Sequence, residues 1–254
     1  MKVFIDSCKR NNVTKARMAL SLGVDINCVT EDGKWSGLTV AAANNALEVV
    51  TWLLGLPGLE VNIRTEGDWV LWDEKDKWNE QDKGFIREWT ALMFACVKGH
   101  HRIVEILVSA PKIDLNIQSF RDLYEKTAAH FAASTSQKFD NYKCLEILTE
   151  TTNVDWNLKD IFGRIPLVQT VIDGEARRFN RIVNIPGIGF NAVDNNGWTP
   201  LYWALKESRR EFVTKLLAKP GIDLKVRTNI GDSLAMAAVE ARAANEPSAK
   251  FEVF

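Results

Sequence analysis

The chain has 254 residues, and its 32 Lys+Arg against 33 Asp+Glu leave a formal net charge of −1. That length can bury a sizeable core, while the balanced charge supplies no global field to draw the chain onto nucleic acid or an anionic membrane. The longest apolar runs, such as Leu107–Ala110 and Val40–Ala43, are too short to cross a bilayer, and the opening MKVFIDSCKRNN has no apolar stretch of the signal-peptide kind, so a soluble intracellular protein is expected.

In chain order, residues 1–28 read as a helix pair over Phe4–Leu22 closed by GVDIN, with Lys2, Asp6, Lys9 and Arg10 as a polar outer cap. Residues 29–62 contain SGLTVAAANN (36–45), then LEVVTWLL (47–54), then the turn and short extended piece LPGLEVN (56–62). The same three-part phrase recurs over 63–116 as TALMFACVKG, HRIVEILV and APKIDLN, and over 117–157 as TAAHFAASTS, YKCLEILT and TTNVDWN. It returns over 158–191 as IPLVQTVIDG, EARRFNRI and IPGIGFN, and over 192–225 as TPLYWALKES, EFVTKLLA and KPGIDLK. A half-unit over 226–245 closes the array, and 246–254 is read as a tail, so 1–245 is expected to be one domain.

Each recurring residue has a physical reason. The opening Ser or Thr can cap orphan N–H groups, and Pro166 and Pro200 suit a first helical turn because the N–H they lack has no partner there. Gly99 and Gly174 end a first helix where left-handed backbone is wanted. Small residues such as Ala41, Ala95, Ala132 and Ala204 let helices approach, while Val49, Leu53, Ile103, Leu107, Leu145, Leu148, Phe212, Leu216 and Leu217 fill the layer between units.

Beyond the period, DNNGWTPLYWA (194–204) resembles the D-x-x-G-x-T-P-L-H-x-A pattern of the ankyrin-repeat family, KGHHRIVEILV (98–108) resembles its G-H-x-x-I-V-x-x-L-L, and GVDIN and KIDLN resemble its closing G-A-D-V-N. The resemblance covers nearly the whole chain. It implies an all-α ankyrin-repeat solenoid of stacked helix-turn-helix units with β-hairpin-like fingers, one of them long, at about 64–89. It further implies a cytoplasmic or nuclear, non-catalytic scaffold, a monomer on its own, that binds another protein and neither nucleic acid nor membrane. A substrate-recruiting or inhibitory subunit of a larger enzyme assembly is the alternative, and an enzyme with a site at the 64–89 finger a more distant one.

Candidate partner-binding residues follow from two departures. The turn between the second and third units carries about twenty extra residues, bringing Trp69, Trp72 and Trp78 with it and ending at Trp89. Tryptophan is enriched among residues that dominate binding, although packing of these rings on one another is the competing reading. The position before the opening Ser or Thr, at the base of each finger, holds Trp35, Trp89, Lys126, Arg164, Trp198 and Asp232 in successive units. Trp35 and Trp89 are therefore expected to be neighbours with Trp198 farther along, joined by Phe162, Asn195, Asn196 and Lys206.

Catalytic chemistry finds little support. His100, His101 and His130 have no Cys, Asp or Glu at metal-ligand spacing, and His130 falls in the family's structural His slot. Cys8, Cys28, Cys96 and Cys144 form no C-x-x-C pair, so reduced thiols are expected, with Cys8 and Cys96 in the core. No catalytic residue, metal or cofactor is assigned. The family resemblance of LLGLPGLEVN (53–62) marks Asn62 as a candidate for asparaginyl hydroxylation.

Overall fold

The computed structural model describes residues 1–30, 35–64, 88–119, 124–135 and 140–245, with side chains through residue 241. The described residues form six helix pairs followed by a single helix. Unit by unit these are α1 (Lys2–Lys9) and α2 (Val13–Ser21), α3 (Gly37–Ala43) and α4 (Leu47–Leu54), α5 (Ala91–Lys98) and α6 (His101–Val108), then α7 (Ala128–Ala133) and α8 (Tyr142–Glu150). They continue as α9 (Pro166–Asp173) and α10 (Ala176–Ile182), α11 (Pro200–Lys206) and α12 (Arg210–Leu217), and end with α13 (Leu234–Asn245). Contacts cluster into two compact units. One holds Met1–Ala132 with Ser136–Asp155, the other Ala133–Thr135 with Trp156–Phe254. In the first, α1 packs on α3 and α3 on α5; in the second, α9 packs on α11 and α11 on α13.

The starts of the first helices are capped as the sequence predicts. Ser36 accepts from the Thr39 N–H at 3.1 Å while Thr39 Oγ1 accepts from the Ser36 N–H at 2.9 Å, a reciprocal capping box. Thr90 and Thr199 accept from the Met93 and Tyr202 N–H groups, and Pro166 and Pro200 stand in the first turns of α9 and α11. At the other end Gly99 (φ 71) and Gly174 (φ 74) are left-handed. The same turn position is also left-handed at Asn11, Asn45 and Ser208, where the sequence gives no glycine.

The core takes both small residues and large ones such as Phe4, Leu38 and Phe94 from the first helices, and large ones from the second. Ala41, Ala95, Ala132 and Ala204 are buried between helices, and Val49, Leu53, Ile103, Leu107, Leu145, Leu148, Phe212 and Leu216 are buried beside them. Leu217, placed in that layer by its apolar character, is instead exposed, because Leu216 takes the inward position of α12 and the adjacent residue turns outward.

Each finger is pinned to the next by one asparagine. Asn27 Nδ2 donates to the Gly58 carbonyl at 2.7 Å and its Oδ1 accepts from the Glu60 N–H at 2.8 Å. Asn62 does the same to Lys112 and Asp114, and Asn116 to Asn153 and Asp155. Asn157 repeats the pattern with Gly187 and Gly189, and Asn191 with Gly221 and Asp223. An amide side chain suits this rung because it carries donors and an acceptor together, matching a carbonyl and an N–H two residues apart.

Candidate functional site

The finger turns of the fifth and sixth units are built around buried carboxylates. Asp160 Oδ1 accepts the N–H groups of Phe162 and Arg164, each at 2.9 Å. Asp194 Oδ1 likewise accepts those of Asn196, at 2.8 Å, and Trp198, at 2.9 Å. Its other oxygen accepts the Trp203 indole N–H at 2.9 Å, tying the finger to α11. These bonds fix where Phe162, Arg164 and Trp198 emerge.

Trp198 is half-buried, its ring 4.7 Å from that of Tyr202 and 4.7 Å, edge-on, from that of Trp203. Lys206 holds its ammonium 5.9 Å from the Trp198 ring and pairs with Glu240 at 2.6 Å. That hydrogen bond, more than any other influence, raises the Lys206 pKa and keeps the charge in place. The Arg164 guanidinium lies 4.7 Å from both the Phe162 and Trp203 rings, while Phe162 itself is 41% exposed. The result is a half-exposed aromatic surface with two cations held against it.

Sequence reasoning named Phe162, Trp198 and Lys206 for this surface and missed Trp203, the packing of Arg164 and the buried Tyr202 ring beside Trp198. Tyr202 occupies the slot where the family has His, a usable signal; Trp203 falls at a variable position and carries none. Asn195, expected as a contact residue, is exposed. Its Nδ2 donates to the Ile161 carbonyl at 2.8 Å, and its own carbonyl accepts from Asn229 Nδ2 at 2.7 Å, so it joins fingers. The Asn196 side chain is exposed.

Among residues 1–155, Trp35 and Trp89 both lie against Phe94, at 5.1 and 5.2 Å, and Trp89 also against Phe131 at 4.4 Å. Trp89 is only 6% exposed, so its indole belongs to the core rather than to an open surface, with the rings of Phe94 and Phe131 against it. Trp35 stays half-buried. Trp69, Trp72 and Trp78 lie outside the described residues. Asn62 spends both side-chain amide atoms on its rung.

The titratable groups singled out from sequence are engaged structurally. His130 Nδ1 lies 2.9 Å from Thr127 Oγ1, and His100 Nε2 donates to the Ala43 carbonyl at 3.3 Å, with burial lowering its pKa. Burial also pushes the Cys8 thiol up to about 12 and the Cys96 thiol well above its ordinary value, which keeps both neutral and poorly nucleophilic. The described residues contain no group of three or more His, Cys, Asp or Glu able to hold a metal ion, and no helix long and apolar enough to cross a membrane.

Profiles of ankyrin repeats match residues 6–54, 68–160 and 136–228. The chain belongs to the ankyrin-repeat family. Among curated proteins it is 28% identical, over 164 residues, to the "Probable 26S proteasome regulatory subunit p28" of Saccharomyces cerevisiae. It is 32% identical, over 82 residues, to the "SMC5-SMC6 complex localization factor protein 1" of Mus musculus. Those matches cover 64% and 32% of this chain but 66% and 8% of the respective relatives, less than two thirds of each. The ankyrin-repeat domain of Bcl-3 superposes with a TM-score of 0.71 at 18% identity, covering 93% of both chains. A chain from the complex of a predatory endopeptidase of Bdellovibrio bacteriovorus with an immunity protein gives 0.64 at 18%, covering 87% of this ankyrin-repeat chain and 99% of the other. At such identity these two show a shared fold.

Proposed function

We propose that this ankyrin-repeat chain is a non-catalytic scaffold that holds a protein partner on the finger turns of its fifth and sixth units, with Trp198 and Phe162 as anchors. The observation that carries the reading is the half-exposed aromatic surface held by Asp160 and Asp194, with Arg164 and Lys206 fixed against its rings. Rigid aromatic side chains give contact area at little cost in conformational entropy, and residues already ordered lose less on binding. The polar groups nearby bond to one another rather than converging on a point where a substrate atom would react.

The likeness to a probable proteasome regulatory subunit favours the narrower reading of a subunit that docks on a larger assembly. The test is co-sedimentation of the purified chain with 26S proteasomes from its native cell. The wild type binds, and Trp198→Ala and Phe162→Ala each weaken binding about tenfold or more, as for a dominant interface residue, with circular dichroism unchanged. No binding by the wild type rejects the proteasomal reading. Binding that ignores both substitutions rejects the face.

A further inference from the structure

The outward side of the first helix pair has the composition of a docking surface. Asn11, Asn45 and Gly99 share the left-handed turn after the first helix of their units, which sets Val3, Gly37 and Ala91 in one equivalent position and Lys15, Val49 and Ile103 in another. In the second unit both positions face the preceding pair. A Cβ added to Gly37 would lie 2.6 Å from Phe4 Cε1, and the Val49 N–H donates to Asn11 Oδ1 at 3.1 Å. In the third unit Ala91 and Ile103 are buried. In the first, Val3 is 64% exposed and Lys15 is exposed, with Met18 on α2 at 64% and Leu22 just after that helix at 76%.

The charge here departs from that of the whole chain. Residues 1–24 carry Lys2, Lys9, Arg10, Lys15 and Arg17 against Asp6 alone. Arg17 lies over the Trp52 ring at 5.9 Å; Lys2, Lys9, Arg10 and Lys15 are exposed and make no ion pair among the described residues. The face thus combines exposed cations with exposed Val3, Met18 and Leu22.

We propose that the α1–α2 face binds an acidic helical segment of another protein, whose apolar side covers Val3, Met18 and Leu22 and whose carboxylates meet Lys2 and Lys15. A helix is the matching shape because the inner side of this same pair already packs on α3 and α4. Lys15 stands where the second and third units bury Val49 and Ile103, so the covering surface brings a carboxylate to a fixed point within an apolar set. A folded segment fixes such a point; a fluid layer of headgroups does not. This surface is distinct from the one around Trp198.

The test places a photo-crosslinking p-benzoylphenylalanine at Leu22 of the full chain in native-cell lysate and identifies the attached segment by mass spectrometry. A synthetic peptide of that sequence is then titrated against purified protein. The proposal expects a net-negative segment with apolar residues at helical spacing, bound by the wild type and at least tenfold more weakly by Lys15→Glu and by Leu22→Ser, with helicity intact in both. A Trp198→Ala chain keeps the crosslink, which separates this surface from the other. No crosslink, a crosslink to lipid, to a second copy or to a basic segment, or a peptide indifferent to Lys15→Glu overturns it.

Discussion

An asparagine at the foot of a finger holds the chain at a point where no strand exists among the described residues. Its amide carries a donor and an acceptor on one rigid plane, so a single side chain closes two bonds to the next unit's backbone. Asn116→Ala removes both, to Asn153 and Asp155, in a solvated setting where each is worth about 0.5–1.5 kcal/mol. The substitution is expected to lower unfolding free energy by about 1–2 kcal/mol in urea titration. Aspartate at the same place would keep the acceptor and lose the donor, and falls between. These rung residues were visible in the sequence as the terminal Asn of GVDIN and KIDLN, but not what they bond to, since their partners lie in the following unit. The same limit hid Arg164, whose ring contact with Trp203 joins the fifth unit to the sixth.

Helix ends were the most legible feature, because capping and left-handed turns depend on residues close in sequence. Ser36, Thr90, Thr199, Gly99 and Gly174 do what local chemistry predicts. Asn11, Asn45 and Ser208 take the same left-handed turn without glycine, which period alone conceals. Left-handed glycines are not equivalent in their surroundings. A Cβ at Gly99 would lie 2.5 Å from the Asp140 carbonyl oxygen, whereas at Gly58 (φ 80) it would meet nothing within 4 Å. Left-handed backbone alone costs a non-glycine residue roughly 1–2 kcal/mol. Gly58→Ala should therefore lose about that much, and Gly99→Ala at least ~1 kcal/mol more, because backbone must also move to relieve the overlap; urea midpoints of the two variants decide it. Trp198 was legible by its fixed place before the helix cap, while Trp89, in the same place, is enclosed by Phe94 and Phe131. Position fixed where each indole starts, and the rings beside it decided whether it stayed open.

For the whole molecule, the long insertion is where sequence and structure meet least, since Trp69, Trp72 and Trp78 fall outside the described residues. Its two ends are nevertheless described. Arg64 and Glu88 form an ion pair at 2.5 Å, and Asn62 keeps its rung to Lys112 and Asp114. Deleting residues 67–86 leaves Thr90 as far along the chain from Asn62 as Thr199 is from Asn191, so the helical signal and the midpoint of thermal unfolding are expected to stay within a few degrees of the parent, as for a change of about 1 kcal/mol or less. A collapse of helicity would show that the insertion is part of the stack.

The rungs let that insertion be measured as chain entropy. Asn27 closes a loop of 31 residues to Gly58, and Asn62 one of 50 to Lys112, yet both make the same pair of bonds. Reckoned from the unfolded chain, the cost of bringing two points together rises only with the logarithm of their separation, so the longer span adds about 0.4 kcal/mol. An array latched in this way can lengthen one finger, and change what that finger carries, for less free energy than a single hydrogen bond contributes.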